Sequence, residues 1–310
     1  SIGVRPDSLL AKNAGLKTNE RGGIVVDKRQ RTSDENIYAV GDAVEIVDYA
    51  TKLPAMIPLA APANKQARVA ANDICGICDE YEGSIGTSIL KVFDVTVATA
   101  GLNERTAQNL GLAYDKVFLL APDHATYYPD AKSMWLKVLF EKENGRILGA
   151  QVVGPAGVDK RLDVLAVAIR VGLTASDLIE LDLAYAPPYS SAKDPVNMVG
   201  LMAENLVKGL VKQFHWDEVD KLAENKGAQL VDVRGAGEFE KGHLPGFVNV
   251  PLKTLRENVS KLDPQKPIYL NCEAGLRSYY AARILIQNGF DAYYLSGGYR
   301  LYSLIKNDLK

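Results

Sequence analysis

The segment "IYLNCEAGLRSYYAARILIQNGFDAYYLSGG", residues 268–298, decides the fold of the last third of this chain. An apolar run, a loop opened by a cysteine, a helix-period stretch stopped at Gly289 and a second β-type run follow one another. Strand, helix and strand in that order imply a right-handed crossover between parallel strands. With "AQLVDVR" (228–234) as a further strand, residues 207–310 read as an α/β domain. Ligands in such sheets bind beyond the carboxyl ends of the strands. Cys272 lies at one such end, and Asp232 and Arg234 end another strand.

A free thiol ionises near pH ~8.5 and becomes an effective nucleophile when backbone N–H groups, a helix N-terminus or a cation favours the thiolate. Gly275 lets the loop curl so that successive N–H groups face inward as an anion nest. The following helix aims its positive end at that nest, and Arg277 adds a formal charge. Glu273 acts against this. A buried structural cysteine is the competing reading, and it leaves Gly275, Arg277 and the helix start without a role. Cysteine-dependent phosphatases also set a cysteine and an arginine around an anion nest, but with five residues between them where "CEAGLR" has four. The tighter loop suits a sulfur atom better than a phosphoryl group.

Working outward, residues 86–206 carry alternating runs, "SILKVFDVTVATAG", "YDKVFLLAPDHATYY" and "MWLKVLFEKENGRILGAQVVG", with Glu143-Asn144-Gly145 as a hairpin turn. Two helical stretches, "DVLAVAIRVG" and "NMVGLMAENLVKGL", flank the proline-interrupted "LAYAPPYSSAKDP". An α+β unit with antiparallel strands is expected. Residues 1–85 offer a helix opened by Pro6, Asp7 and Ser8 and closed by Gly15. Two strands, "GGIVVD" and "NIYAVGDA", follow, then a helix after Pro62 that ends at Gly76. That is too little to close a core without further strands.

The totals agree with a folded protein of two or three domains: 310 residues, 47% apolar and 24% charged. Lys and Arg number 36 against 38 Asp and Glu, so charge alone holds neither nucleic acid nor an anionic membrane. No apolar run approaches the ~18 residues of a membrane span. Three cysteines are too few for a disulfide framework, which predicts a cytoplasmic protein. The apolar start at Ser1, without a methionine, suggests a truncated chain. Cys75-Gly76-Ile77-Cys78 falls at the C-terminal end of a helix, where a thiolate is disfavoured. His124, His215 and His243 lack ligand spacing, so no metal is expected. Gly235-Ala236-Gly237 has Glu240 where a dinucleotide fingerprint needs its third glycine.

"LVDVRGAGEFEKGHLPGFVNVPL" (230–252), "CEAGLR" and "LSGGY" together resemble the rhodanese sulfurtransferases. The resemblance implies that Cys272 carries a persulfide sulfur within the loop ending at Arg277. It makes Asp232, Arg234, Glu238 and His243 supports of that domain. "GVRPDSLLAKNAGL", "GGIVVD", "TSDENIYAVGDA" and "PLAAPANKQARVAAN" resemble the second FAD-binding segment of the pyridine-nucleotide disulfide oxidoreductases. "ILKVFDVTVATAGLNE" through "AYAPPYSSAKDPVNM" resembles their dimerisation domain. The whole is similar to the coenzyme A disulfide reductase and NADH-dependent persulfide reductase fusions.

The implied architecture is an α/β and α+β multidomain chain. It comprises a partial FAD-binding domain (1–85), an α+β dimerisation domain (86–206) and a C-terminal α/β rhodanese domain (207–310). The resemblance further implies that Gly41 and Asp42 approach the ribityl and phosphate portion of FAD. Pro58, Leu59, Ala60 and the helix start near Asn64 would lie against the isoalloxazine. Tyr127 and Tyr185, with Tyr128 and Tyr189 as alternatives, would reach the active site, one from each subunit of a homodimer, and stabilise a leaving thiolate.

The family's first FAD fingerprint, its NAD(P)H-binding unit and its flavin-proximal cysteine correspond to positions ahead of Ser1. FAD, NAD(P)H and coenzyme A are therefore expected of a parent protein that reduces disulfides, persulfides or polysulfides of small thiols. Two other readings are a stand-alone sulfurtransferase on a dimerising scaffold, and an inactive binding module.

Overall fold

The computed structural model describes residues 3–308. Its strands fall into three sheets. In the first, Ile24–Val25 runs parallel to Val44–Val47, which pairs antiparallel with Pro54–Ala55. Val44 and Ile46 alternate inward and meet Val69 of the helix Ala60–Ile74 and Tyr81. This corrects the expected second strand. "NIYAVGDA" contributes only an isolated bridge at Tyr38, and the strand begins after it, because Gly41 at φ +90° turns the backbone out of extended conformation. The helix also begins two residues ahead of Pro62, which a first turn tolerates.

The second sheet is antiparallel, in the order Ser88–Val92, Val95–Gly101, Ile147–Gly154, Ser133–Glu141, Tyr114–Pro122. Glu143-Asn144-Gly145 makes the predicted turn, with Gly145 at φ +74°. Alternate residues such as Met134, Leu136 and Val138 bury against Leu162, Leu165, Val196 and Val199 of the helices Val158–Val171 and Pro195–Val207. The second helix starts at Pro195 because Asp194 caps it, accepting from the Val196 N–H at 3.0 Å. A short helix, Ala175–Glu180, packs beside it.

The third sheet is fully parallel, in the order Val248–Asn249, Gln229–Asp232, Ile268–Asn271, Ala292–Leu295, Lys212–Phe214. The helix Leu276–Gln287 makes the expected crossover and buries Ala281, Ala282 and Leu285 against Ile268 and Leu270. Lys212–Phe214 sits at the edge beside the second unit. There the Gln213 side-chain amide donates to the Lys116 carbonyl at 2.8 Å and to Asp115 at 3.1 Å, and the Phe118 N–H donates to Ser296 Oγ at 3.2 Å. These bonds hold the cysteine domain against the strand Tyr114–Pro122. Among the described residues no helix is long and apolar enough to cross a membrane.

Candidate active site

The strand Ile268–Asn271 ends directly on Cys272, whose side chain is buried at 1% exposure. Gly275 takes φ +99°, a conformation open to glycine, and so turns its N–H back toward the sulfur at 3.2 Å. The helix Leu276–Gln287 starts there. Of the successive inward-facing N–H groups expected, the Gly275 amide is the backbone donor that reaches Sγ.

A second donor was missed by the sequence reading. Ser278 is fully buried on the first turn of this helix, with its Oγ 3.3 Å from Cys272 Sγ and 2.9 Å from the Gly275 carbonyl. A hydroxyl has one proton, so it serves the carbonyl or the sulfur, and charge on the sulfur draws it there. Ser278→Ala is expected to lower the rate at which Cys272 reacts as a nucleophile by at least about tenfold. The basis is that a hydrogen bond to a charged acceptor contributes about 1.5–3 kcal/mol. The second-order rate of Cys272 alkylation by iodoacetamide, followed by mass spectrometry, would register this.

Arg277 lies beside the loop, but its fork is engaged elsewhere. Nη1 and Nη2 donate to the two carboxylate oxygens of Glu238, each at 2.6 Å. The Arg277 guanidinium holds the Glu238 carboxyl well below its usual range, at about 2. Arg234 is likewise committed. It is 2% exposed and bonds Asp232 at 2.9–3.1 Å, the Gly242 carbonyl at 2.7 Å and Glu273 at 3.3 Å. Asn271 donates to the same Asp232 at 2.8 Å. His243 stacks on Phe239 at a ring separation of 4.0 Å. The helix Gly298–Asp308 grips the loop from behind: the Tyr299 N–H donates to the Cys272 carbonyl at 2.8 Å and the Arg300 N–H to the Glu273 carbonyl at 3.0 Å.

Ala274, Gly275 and Leu276 line one wall of a slot of about 560 Å³ between the cysteine domain and the second unit. Met198, Leu201 and Met202 of the helix Pro195–Val207 line it from the second unit, and Ser191 and Lys193 add polar lining. Tyr127 and Tyr185 are brought together within one chain, where one from each subunit was expected, with their hydroxyls 3.1 Å apart, and this contact raises the Tyr127 phenol above its ordinary range. Both are exposed rather than packed in a core. Tyr128 instead meets His124 edge-on, and Tyr189 is exposed.

Buried Arg161 ties the two tyrosine segments to each other. Its Nη2 donates to the Asp123 carbonyl at 2.7 Å, to Ser190 Oγ at 3.2 Å and to Asp194 at 3.0 Å. A surface-type residue on an amphipathic helix gave no sequence signal for that role.

In the first unit the Gly41 N–H donates to Gln66 Oε1 at 2.7 Å, which ties the Gly41–Asp42 turn to the helix Ala60–Ile74. That helix has no side-chain cap at Leu59. Asp42, Pro58, Ala60 and Asn64 are exposed beside its start, and the space around Gly41 is open. Cys75 ends the same helix, and it and Cys78 are both exposed.

Residues 1–67 match the pyridine nucleotide-disulphide oxidoreductases and residues 87–195 the dimerisation domain of that group. Residues 215–304 match the rhodanese-like domain. The chain is 37% identical over 204 residues to the coenzyme A disulfide reductase of Staphylococcus epidermidis, covering 66% of this chain and 46% of that protein. It is 39% identical over 196 residues to the NAD(P)H sulfur oxidoreductase (CoA-dependent) of Pyrococcus furiosus, covering 63% of this chain and 44% of that one. It thus spans about half the length of the curated relatives it matches, 46% in the first case.

Among solved structures, the reduced CoADR-RHD of Bacillus anthracis superposes with a TM-score of 0.96 at 48% identity, over 99% of this chain and 55% of that one. The NAD-dependent persulfide reductase of A. fulgidus gives 0.88 at 42% identity, over 97% of this chain and 55% of that one.

Proposed function

The chain belongs to the pyridine nucleotide-disulphide oxidoreductases and carries a rhodanese-like domain, and from that membership we propose that Cys272 is a sulfur carrier serving a flavin-dependent disulfide or persulfide reductase. The observation that carries the reading is the loop itself. A buried sulfur at the end of a parallel strand receives the Gly275 amide and faces the Ser278 hydroxyl, so sulfur that gains negative charge finds fixed donors in place of water.

The Cys272 thiolate attacks the outer sulfur of a persulfide. The donor's S–S bond breaks as the new one forms, and the donor thiolate leaves with the electron pair. Passing the sulfur to an acceptor thiol repeats the exchange, and no net oxidation occurs.

The reductase reaction is proposed for the whole protein of this architecture, with NAD(P)H as reductant, coenzyme A disulfide or persulfide as substrate and a homodimer as the working unit. FAD, when bound, supplies a two-electron relay between nicotinamide and disulfide chemistry. The first unit fits such a group. An uncapped helix start offers free N–H groups to a polar, electron-rich ligand, and the open Gly41 turn beside it admits close backbone approach. Gly41, Asp42, Pro58, Leu59, Ala60 and Asn64 are the residues proposed to hold it. Tyr127 and Tyr185 present a hydroxyl pair that donates to a leaving thiolate.

Incubating the chain with an organic persulfide, removing the excess and digesting should show one added sulfur atom on the peptide containing Cys272. A label found only on the Cys75–Cys78 peptide, or nowhere, would overturn the carrier role.

A further inference from the structure

The charges around the cysteine loop bear on which sulfur donor it accepts. Two guanidiniums, Arg277 and Arg234, touch the loop, and three carboxylates, Glu238, Asp232 and Glu273, hold them. Two positive against three negative charges leave the cluster one charge negative. The Arg277–Glu238 pair is bidentate at 2.6 Å on both arms, the strongest arrangement available to an arginine. Glu238 stays ionised throughout the assay range because Arg277 holds its carboxyl at about 2. Beside the loop, the interdomain slot presents Leu276, Tyr280, Met198, Leu201 and Met202, with Lys193 as the one charged residue in its lining. At the loop itself a small dianion therefore meets guanidiniums already paired with carboxylates, whereas sulfur borne on an organic thiol meets a mostly apolar wall for its carbon chain.

The geometry points to Glu238 as a specificity-determining residue: by clamping Arg277 it turns the Cys272 loop away from dianionic donors such as thiosulfate and toward sulfane sulfur carried on an organic thiol. The inference rests on the sulfur-carrier reading given above. In either case the transfer balances, since Cys272 sulfur displaces sulfite from thiosulfate or a thiolate from an organic persulfide, each leaving with the pair of the broken S–S bond.

The test compares thiosulfate with mercaptoethanol persulfide as donors to the intact chain, cyanide being the final acceptor. Wild type should favour the persulfide. Glu238→Gln keeps the side chain's size and removes its charge, so the ratio of thiosulfate to persulfide kcat/KM should rise about tenfold, the effect of about 1.4 kcal/mol of relieved repulsion. Glu273→Gln, which leaves the Arg277 pair intact, should shift the ratio in the same direction by less, and it supplies the answer if the first variant fails to fold. A ratio that stays fixed or falls in the folded variants overturns the inference. Cys272→Ser run alongside separates the two claims. If it still transfers sulfur, the carrier reading is the one that fails; if it is inactive and the ratio does not move, only the role of Glu238 fails.

Discussion

Cys272→Ser should abolish sulfur transfer, with a loss of at least about 1,000-fold of the kind that follows removal of a catalytic nucleophile. A serine hydroxyl is a weak nucleophile without an adjacent base, and it forms no stable perthio group. The fold should survive. The replacement is smaller by little, and the Gly275 N–H and Ser278 hydroxyl that now face the sulfur can donate to an oxygen in its place. The stability change should therefore stay near ~1 kcal/mol, the net worth of one altered hydrogen bond, readable as a small shift of the urea midpoint. Cys75→Ser/Cys78→Ser should keep wild-type transfer, because both thiols lie exposed at the far end of the helix Ala60–Ile74. Transfer retained by the Cys272 variant and lost by the double variant would place the carrier at the wrong cysteine.

What the sequence revealed and what it hid divide along the range of the forces involved. The crossover around Cys272 was legible because local features carry it. Strand residues stop at a cysteine, Gly275 and Gly289 both take positive φ, and the intervening run has helical period. The antiparallel unit was legible for the same reason, with alternation along each strand and a glycine turn at Gly145. The edge strands Lys212–Phe214 and Val248–Asn249 were not read, being three and two residues long and defined only by their neighbours.

"NIYAVGDA" misled because its apolar residues imitate a strand while Gly41 turns the chain. At the site, Arg277 was recognised as a cation near the cysteine. That Glu238, 39 positions away, would capture both arms of its fork is a tertiary fact. Ser278 was accessible in principle, since a small polar residue on the first turn after a nucleophile loop faces the loop's interior. Arg161 was not, because a buried arginine and an exposed one read alike on a helix.

The second large effect comes from a residue whose importance no local pattern carries. Gly298 stands at φ +64°, and a Cβ built on it would lie 2.5 Å from the Cys272 carbonyl oxygen, 2.8 Å from the Ala274 nitrogen and 2.8 Å from the Glu273 carbonyl carbon. All three are backbone atoms of the active loop, so no side chain can swing aside to make room. The loop cannot simply back away either, because the N–H groups of Tyr299 and Arg300, the next two residues, bond the Cys272 and Glu273 carbonyls at 2.8 and 3.0 Å. Gly298→Ala must break that grip or push the loop forward, and either moves Cys272 relative to the Gly275 amide.

Misplacing a reacting group by about 1 Å lowers the rate roughly 100-fold, and the left-handed backbone adds about 1–2 kcal/mol of destabilisation for a residue with a Cβ. The expected result is a transfer rate down by about two orders of magnitude together with a lower unfolding midpoint. Gly289→Ala is the matched control. It stands at φ +84° with nothing within 4 Å of the point its methyl group would occupy, so it should show the backbone destabilisation alone and keep its transfer rate. Equal rates for the two variants would mean that the close approach at Gly298 does not set the geometry of the cysteine loop, and the preorganised cradle would lose its main structural support.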